Sequence, residues 1–195
     1  MRVKQPEYVL GHTDREQLRL IRQTRMLAPF TERHLREAGI SSGMRVCIGC
    51  GMGDVTMLAA GFVGPTRSVV SIDIEQASVE TARKRALSVG LENTTFYRTD
   101  IQSFADSRPF DAIVGRLVLE FLPDTTAIIN QLCGMLKPGG VIALQEPTWK
   151  IWLAYTSHLP LRTAVTTVIR DTFVAGGEQT LKWNCQFTNL LKPPS

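Results

Sequence analysis

The sequence predicts an α/β protein: an open parallel sheet with helices on both faces, preceded by N-terminal helices. Two observations predict it. After Gly43, short apolar runs suited to strands alternate with longer segments of helical period. Turn-forming residues stand at the joints, as in Gly64-Pro65 and Pro138-Gly139-Gly140. Strands separated by helices require crossover connections, which are right-handed and cover both faces of the sheet.

The first forty residues read as helical. Thr13 or Asp14 caps a helix through Gln17-Leu18-Arg19-Leu20-Ile21-Arg22, Pro29 is expected to interrupt it, and residues 31–38 add a further turn or two before Gly39. Arg15, Arg19, Arg22 and Arg25 recur at helical spacing and read as a solvated face. The expected strands are Met44–Ile48, Ser68–Ile72, Thr94–Tyr97, Phe110–Val114 and Gly140–Leu144. Between them lie the helices Asp54–Gly61, Glu75–Val89 and Asp124–Leu136, and Leu159 to Val174 reads as one more. In the tail, Leu181, Trp183, Cys185 and Phe187 alternate as in a half-buried strand, although Trp183, Phe187 and Leu190 also share a helix face. There is no internal repeat and no low-complexity linker.

Composition narrows the class. The chain has 195 residues, 44% of them hydrophobic and 21% charged, enough for one buried core and too apolar for a disordered segment. No apolar run approaches the roughly 18 residues of a membrane span, and the N-terminus lacks a signal-peptide core, so a cytoplasmic location is expected. Four cysteines (Cys47, Cys50, Cys133, Cys185) are too scattered for a disulfide scaffold. A net charge of +4 with no Lys/Arg run permits a nucleic-acid partner without arguing for one.

In open parallel sheets, ligands bind beyond the carboxyl ends of the strands. The first strand is followed by Gly49-Cys50-Gly51-Met52-Gly53-Asp54, where alternate glycines let backbone turn sharply and approach a ligand. The second ends in Asp73, a carboxylate able to accept from a ribose diol. The third leads into Asp100 and Ile101, the fourth into Gly115 and Arg116, the fifth into Gln145 and Glu146. Together they describe an adenosine pocket without a phosphate-binding cation. A dinucleotide fingerprint needs a small third residue at position 54, and Asp54 instead places a negative charge where pyrophosphate would sit. No Gly-Lys-Ser/Thr follows the glycines, which excludes a P-loop. Cys47 and Cys50 have a redox spacing, but no second Cys pair or nearby His completes a metal site.

These residues resemble the class I S-adenosylmethionine-dependent methyltransferases. Residues 46–54 (VCIGCGMGD) are similar to the family's first motif, Ser71-Ile72-Asp73-Ile74 to its second and Arg98-Thr99-Asp100-Ile101 to its third. Residues 110–124 resemble its fourth strand and the following helix, and Leu136-Lys137-Pro138-Gly139-Gly140 its turn into the fifth strand. The resemblance covers roughly residues 40–147 in order and spacing. It implies a Rossmann-like, doubly wound, mostly parallel sheet in the order 3-2-1-4-5. Residues 1–40, Tyr8 among them, would be a helical lid segment and 41–195 the methyltransferase domain. It also implies that the cofactor S-adenosylmethionine lies over Gly49, Gly51 and Gly53, beside Cys47 and Cys50 of the same motif. Asp73 would hold both ribose hydroxyls and Ile74 would pack on adenine. Asp100 would accept from the adenine amino group, the Ile101 amide would donate to the ring, and Arg116 would sit beside the methionine moiety. Asp73 could instead cap the helix from Glu75, and Asp100 a turn.

Two features depart from the family pattern. Cys47 replaces an acid that usually precedes the Ile-Gly of the first motif, and the usual C-terminal strand pair is absent or incomplete. An uncovered sheet edge is open to homo- or hetero-oligomerisation. The amino-directed Asp/Asn-Pro-Pro-aromatic motif is missing after the fourth strand, where Val114-Gly115-Arg116-Leu117 stands. With the Leu-Gln-Glu-Pro end of the fifth strand, this looks like the bacterial and fungal small-molecule branch, including secondary metabolism. The expected activity is in-line methyl transfer to a small metabolite; the alternative is a catalytically idle partner or scaffold subunit. No metal and no nucleic acid are called for. His12, Glu120, Glu146 and His158 are candidate bases, with no motif to assign any of them.

Overall fold

The computed structural model describes residues 14–119, 122, 124–146 and 158–175. The elements run α1 (Asp14–Glu37), β1 (Val46–Gly49), α2 (Asp54–Val63), β2 (Val69–Asp73), α3 (Gln76–Ser88), β3 (Thr94–Arg98), β4 (Phe110–Arg116), α4 (Thr125–Gly134), β5 (Leu136–Gln145) and α5 (Pro160–Ala175). The strands form one sheet in the order β3-β2-β1-β4-β5, and every neighbouring pair is parallel. Strand order reverses at β1, which pairs with β2 on one side and β4 on the other. The crevice beyond the ends of β1 and β4 is therefore the ligand-binding position of this topology.

Side-chain alternation explains the layers. Val46, Val69, Ala112, Val114, Val141 and Ala143 face α1 and α2, where Leu35, Val55, Ala59 and Val63 complete a buried cluster. Cys47, Val70, Ile72, Ile113 and Ile142 face the other way and pack with Ile128 and Leu132 of α4. Within the first layer, the buried hydroxyls of Thr56 and Ser71 satisfy each other at 2.9 Å.

Two expectations are corrected. Pro29 lies inside α1, which continues unbroken to Glu37. Proline removes the hydrogen bond to Arg25, but Pro29 and Arg25 share an exposed face, where water can serve that carbonyl. The opposite face is anchored through Thr31 and Leu35, both buried. The turn before the fifth strand also proves to be part of β5: Leu136 pairs with Phe110, a register shift follows, and Val141 pairs with Ala112. Gly139, at φ 78°, makes the bulge.

Arg19, Arg22 and Arg25 are exposed, consistent with a solvated face. No described helix is long and apolar enough to cross a membrane. Residues 1–13, with Tyr8 and His12, lie outside the described residues, as do Glu120 and the tail segment around 181–190 that reads as strand or helix.

Candidate active site

The loop leaving β1 turns on two glycines in the left-handed region, Gly51 at φ 46° and Gly53 at φ 88°. The Gly53 N–H donates to Cys50 O at 2.8 Å, closing the turn. A Cβ on Gly51 would meet nothing within 4 Å, so this backbone faces open space that a ligand can occupy. Gly53 is different: its Cβ would stand 3.0 Å from both Cα and Cβ of Ala82 on α3. Gly53→Ala is thus expected to destabilise the protein by about 2–4 kcal/mol, combining left-handed strain with a clash against backbone. A denaturant midpoint unchanged from wild type would refute this.

Asp73 joins the first two strand ends. Its Oδ2 accepts from Gly51 N–H at 2.9 Å and its Oδ1 from Glu75 N–H at 2.9 Å. The second bond is the helix-start contact foreseen as an alternative; the first fixes the carboxylate against the glycine loop. Ile74 follows, 40% exposed at the same rim. Beyond β3, Asp100 Oδ1 accepts from Gln102 N–H at 2.9 Å, and Gln131 of α4 donates to Ile101 O at 2.9 Å. The glycines, Asp73, Ile74, Asp100 and Ile101 therefore line one edge, along the ends of β1, β2 and β3.

The two cysteines lie beneath this edge. Cys47 belongs to the α4-side core, and Cys50 packs with Val79, Ala82 and Ala86 of α3. Burial first, and then the charge of Asp73, push the Cys50 thiol far up, so it is no thiolate at neutral pH. Among the described residues, no group of three or more His, Cys, Asp or Glu is placed to hold a metal ion.

Asp54 does not act as the cap, nor does it present its charge to the crevice. Gly53 is the N-cap, with no side-chain bond, while Asp54 is the first helical residue. The Asp54 carboxylate accepts from Arg85 Nη2 at 2.5 Å and from Thr24 Oγ1 of α1 at 2.9 Å. Arg85 also donates to the carbonyl of Met52. With its charge compensated by Arg85, Asp54 does not by itself exclude pyrophosphate at this helix start.

Arg116 turns toward α1 rather than standing alone. Its Nη2 donates to Thr24 Oγ1 at 3.0 Å and its Nη1 to Thr31 Oγ1 at 3.2 Å. Thr31 Oγ1 also lies 2.7 Å from Gln145 Oε1 and 3.1 Å from Leu27 O. Burial lowers the Arg116 pKa, with Asp54 opposing the shift. No carboxylate among the described residues forms an ion pair with this guanidinium. Sequence reading passed over Thr24 and Thr31; the available signal was two hydroxyls seven residues apart on the face of α1 that carries Leu35 and Ala38 inward.

At the other rim, Glu146 Oε1 accepts from the N–H groups of Val118 and Leu119 at 3.0 and 3.1 Å. Its Oε2 is buried and finds no partner among the described residues. Burial pushes this carboxyl up to about 7, against the two backbone donors that favour its charge. His158 sits in an exposed turn before α5. Between the two rims, an apolar cavity of about 10 Å3 is lined by Cys47, Gly49, Ile101, Val118, Leu119 and Leu144 among others.

Comparison with known proteins agrees with this geometry. The profile of a methyltransferase-domain family matches residues 40–188. A trans-aconitate 2-methyltransferase of Methylobacterium radiotolerans is 32% identical over 157 residues, 77% of this chain and 56% of that protein. An aklanonic acid methyltransferase of a Streptomyces species is 35% identical over 111 residues, 56% of this chain and 50% of that protein. The chain thus spans about half the length of the curated relatives it matches. An S-adenosylmethionine-dependent O-methyltransferase from Thermotoga maritima shares the fold, with TM-score 0.55 and 21% identity over 71% of this chain and 48% of that structure.

Proposed function

The chain belongs to the methyltransferase-domain family of class I S-adenosylmethionine-dependent enzymes, and we propose that it transfers a methyl group to a small organic acid by in-line displacement. One observation carries the reading: an open glycine backbone at Gly51 stands beside Asp73, with Asp100 farther along the same edge. A ligand with a ribose diol and an adenine suits that edge. S-adenosylmethionine supplies an electrophilic methyl on a sulfonium. The chain's own residues bind and orient. Asp73 takes the diol, Ile74 covers the adenine, and Asp100 with the Ile101 amide reads its edge. Gly49, Gly51 and Gly53 form the floor, with Cys47 and Cys50 packed beneath. Arg116, half-buried against two neutral hydroxyls, offers a cation to the methionine end.

The acceptor class rests on the relatives' names, since trans-aconitate and aklanonic acid are both carboxylic acids. A carboxylate is already nucleophilic at neutral pH and needs no general base. Positioning then supplies most of the rate, roughly 7–11 kcal/mol for a well-oriented pair. Residues 1–40 serve as the lid, fastened through Thr24 and Thr31.

The test is labelled-methyl transfer from S-adenosylmethionine to trans-aconitate and simpler organic acids, with calorimetric titration of S-adenosylhomocysteine in parallel. Micromolar binding with transfer to an acid is expected, and transfer should be lost when residues 1–30 are deleted. Binding without transfer to any acid would move the acceptor to another class, and a folded protein that binds no S-adenosylhomocysteine would overturn the reading.

A further inference from the structure

The loop after β4 is unusual in two ways. Leu117, at φ 56°, is a non-glycine residue in the left-handed region, a strained conformation that persists only where surroundings enforce it. Here the Leu117 N–H donates to Gln145 O at 2.9 Å, and the next two N–H groups converge on Glu146 Oε1. This arrangement sets Val118 against the glycine edge, its Cγ2 3.1 Å from where a Cβ on Gly49 would be. The carboxyl that organises the loop is itself half satisfied: both backbone donors go to one oxygen, and Oε2 is buried without a partner among the described residues. A buried polar atom without a partner costs about 1–3 kcal/mol and calls for an explanation. Glu146 as a residue is half-buried, at the crevice rim formed by the ends of β4 and β5.

We propose that Glu146 acts as a neutral carboxylic acid, its Oε2–H donating a hydrogen bond to a carboxylate of the acceptor while Oε1 stays fixed by Val118 and Leu119. The proposal rests on the organic-acid reading above and adds the residue that recognises the acid. A neutral donor suits an anionic acceptor, because an ionised Glu146 would repel it and leave its own oxygen unpaired. Among the described residues, the surroundings supply no compensating charge. On β4, Arg116 gives its donors to α1 and Asp111 pairs with Lys137 of β5 at 2.6 Å, near the opposite end of the strand. α4 contains no charged residue, and β1 contributes none. From α1, the side chain reaching this rim is the uncharged Thr31.

The test is calorimetric titration of trans-aconitate and of acetate into the full chain, with and without S-adenosylhomocysteine, at about pH 6 and about pH 8.5. For wild type, affinity should fall about tenfold per pH unit above 7 as Glu146 ionises. Glu146→Gln keeps an acceptor for the two N–H groups and a donor in place of Oε2–H, so its affinity should not follow pH. Glu146→Leu should bind weakly at both values. Wild-type affinity that is flat with pH, carboxylates that fail to bind, or a Glu146→Gln chain that is folded but loses binding would each overturn the proposal. The S-adenosylhomocysteine titration stands apart and tests the cofactor site alone.

Discussion

Asp73→Ala is expected to weaken S-adenosylhomocysteine binding by about 100-fold or more in a protein that still folds. The carboxylate would accept two hydrogen bonds from the ribose diol, and each charge-assisted bond is worth roughly 1.5–3 kcal/mol. Losing both removes at least about 3 kcal/mol, which is two orders of magnitude in affinity. The stability cost is smaller. Gly51 and Glu75 lose a backbone hydrogen-bond acceptor, but Glu75 is half-buried at a helix start and Gly51 is exposed, so water can replace the carboxylate. A role confined to starting α3 predicts the opposite pattern, a lowered melting temperature with unchanged affinity. Calorimetry and a thermal melt on the same variant separate the two.

The fold and the placement of the candidate residues at the strand ends were legible because the signals are local. Most strands are short apolar runs, and each candidate residue stands at or just after a strand end, so the topology itself collects Gly51, Asp73 and Asp100 at one edge. What escaped the sequence depends on partners far apart in the chain. Asp54 reads as a helix cap from its neighbours, yet its partner Arg85 is 31 residues away. Arg116 meets Thr24 across 92 residues, and only the docking of α1 brings them together. Pro29 carries a strong local signal for a break, but solvation of its exposed face and anchoring of the buried one override it. Glu146 stood among four candidate bases with nothing to separate it. Its distinction, one oxygen held by two amides and the other orphaned, exists only after β4 and β5 are paired.

The larger structural effect is expected at Arg85. Asp54 is 7% exposed and the Arg85 side chain 29%, and they meet at 2.5 Å. Arg85→Met keeps the length and apolar stem but strands a carboxylate in the interior, whose cost is about 3–5 kcal/mol. The loss should spread to both structures that Arg85 braces. Met52 O, inside the glycine loop, loses its donor, and among the described residues Asp54 retains only the Thr24 hydroxyl as a side-chain donor, so the loop and the docking of α1 both loosen. Affinity for S-adenosylhomocysteine should therefore drop although Arg85 lies behind the loop. The pair's net contribution is a separate quantity: replacing both partners with apolar residues often restores stability, because desolvation of two ions offsets much of their attraction. Asp54→Leu with Arg85→Met is accordingly expected to be more stable than Arg85→Met alone, with a coupling of about 2–3 kcal/mol in a double-mutant cycle. Denaturant titrations of the four proteins give that number. A single variant within 1 kcal/mol of wild type would show that the pair is solvated and that the loop is held by its glycines alone.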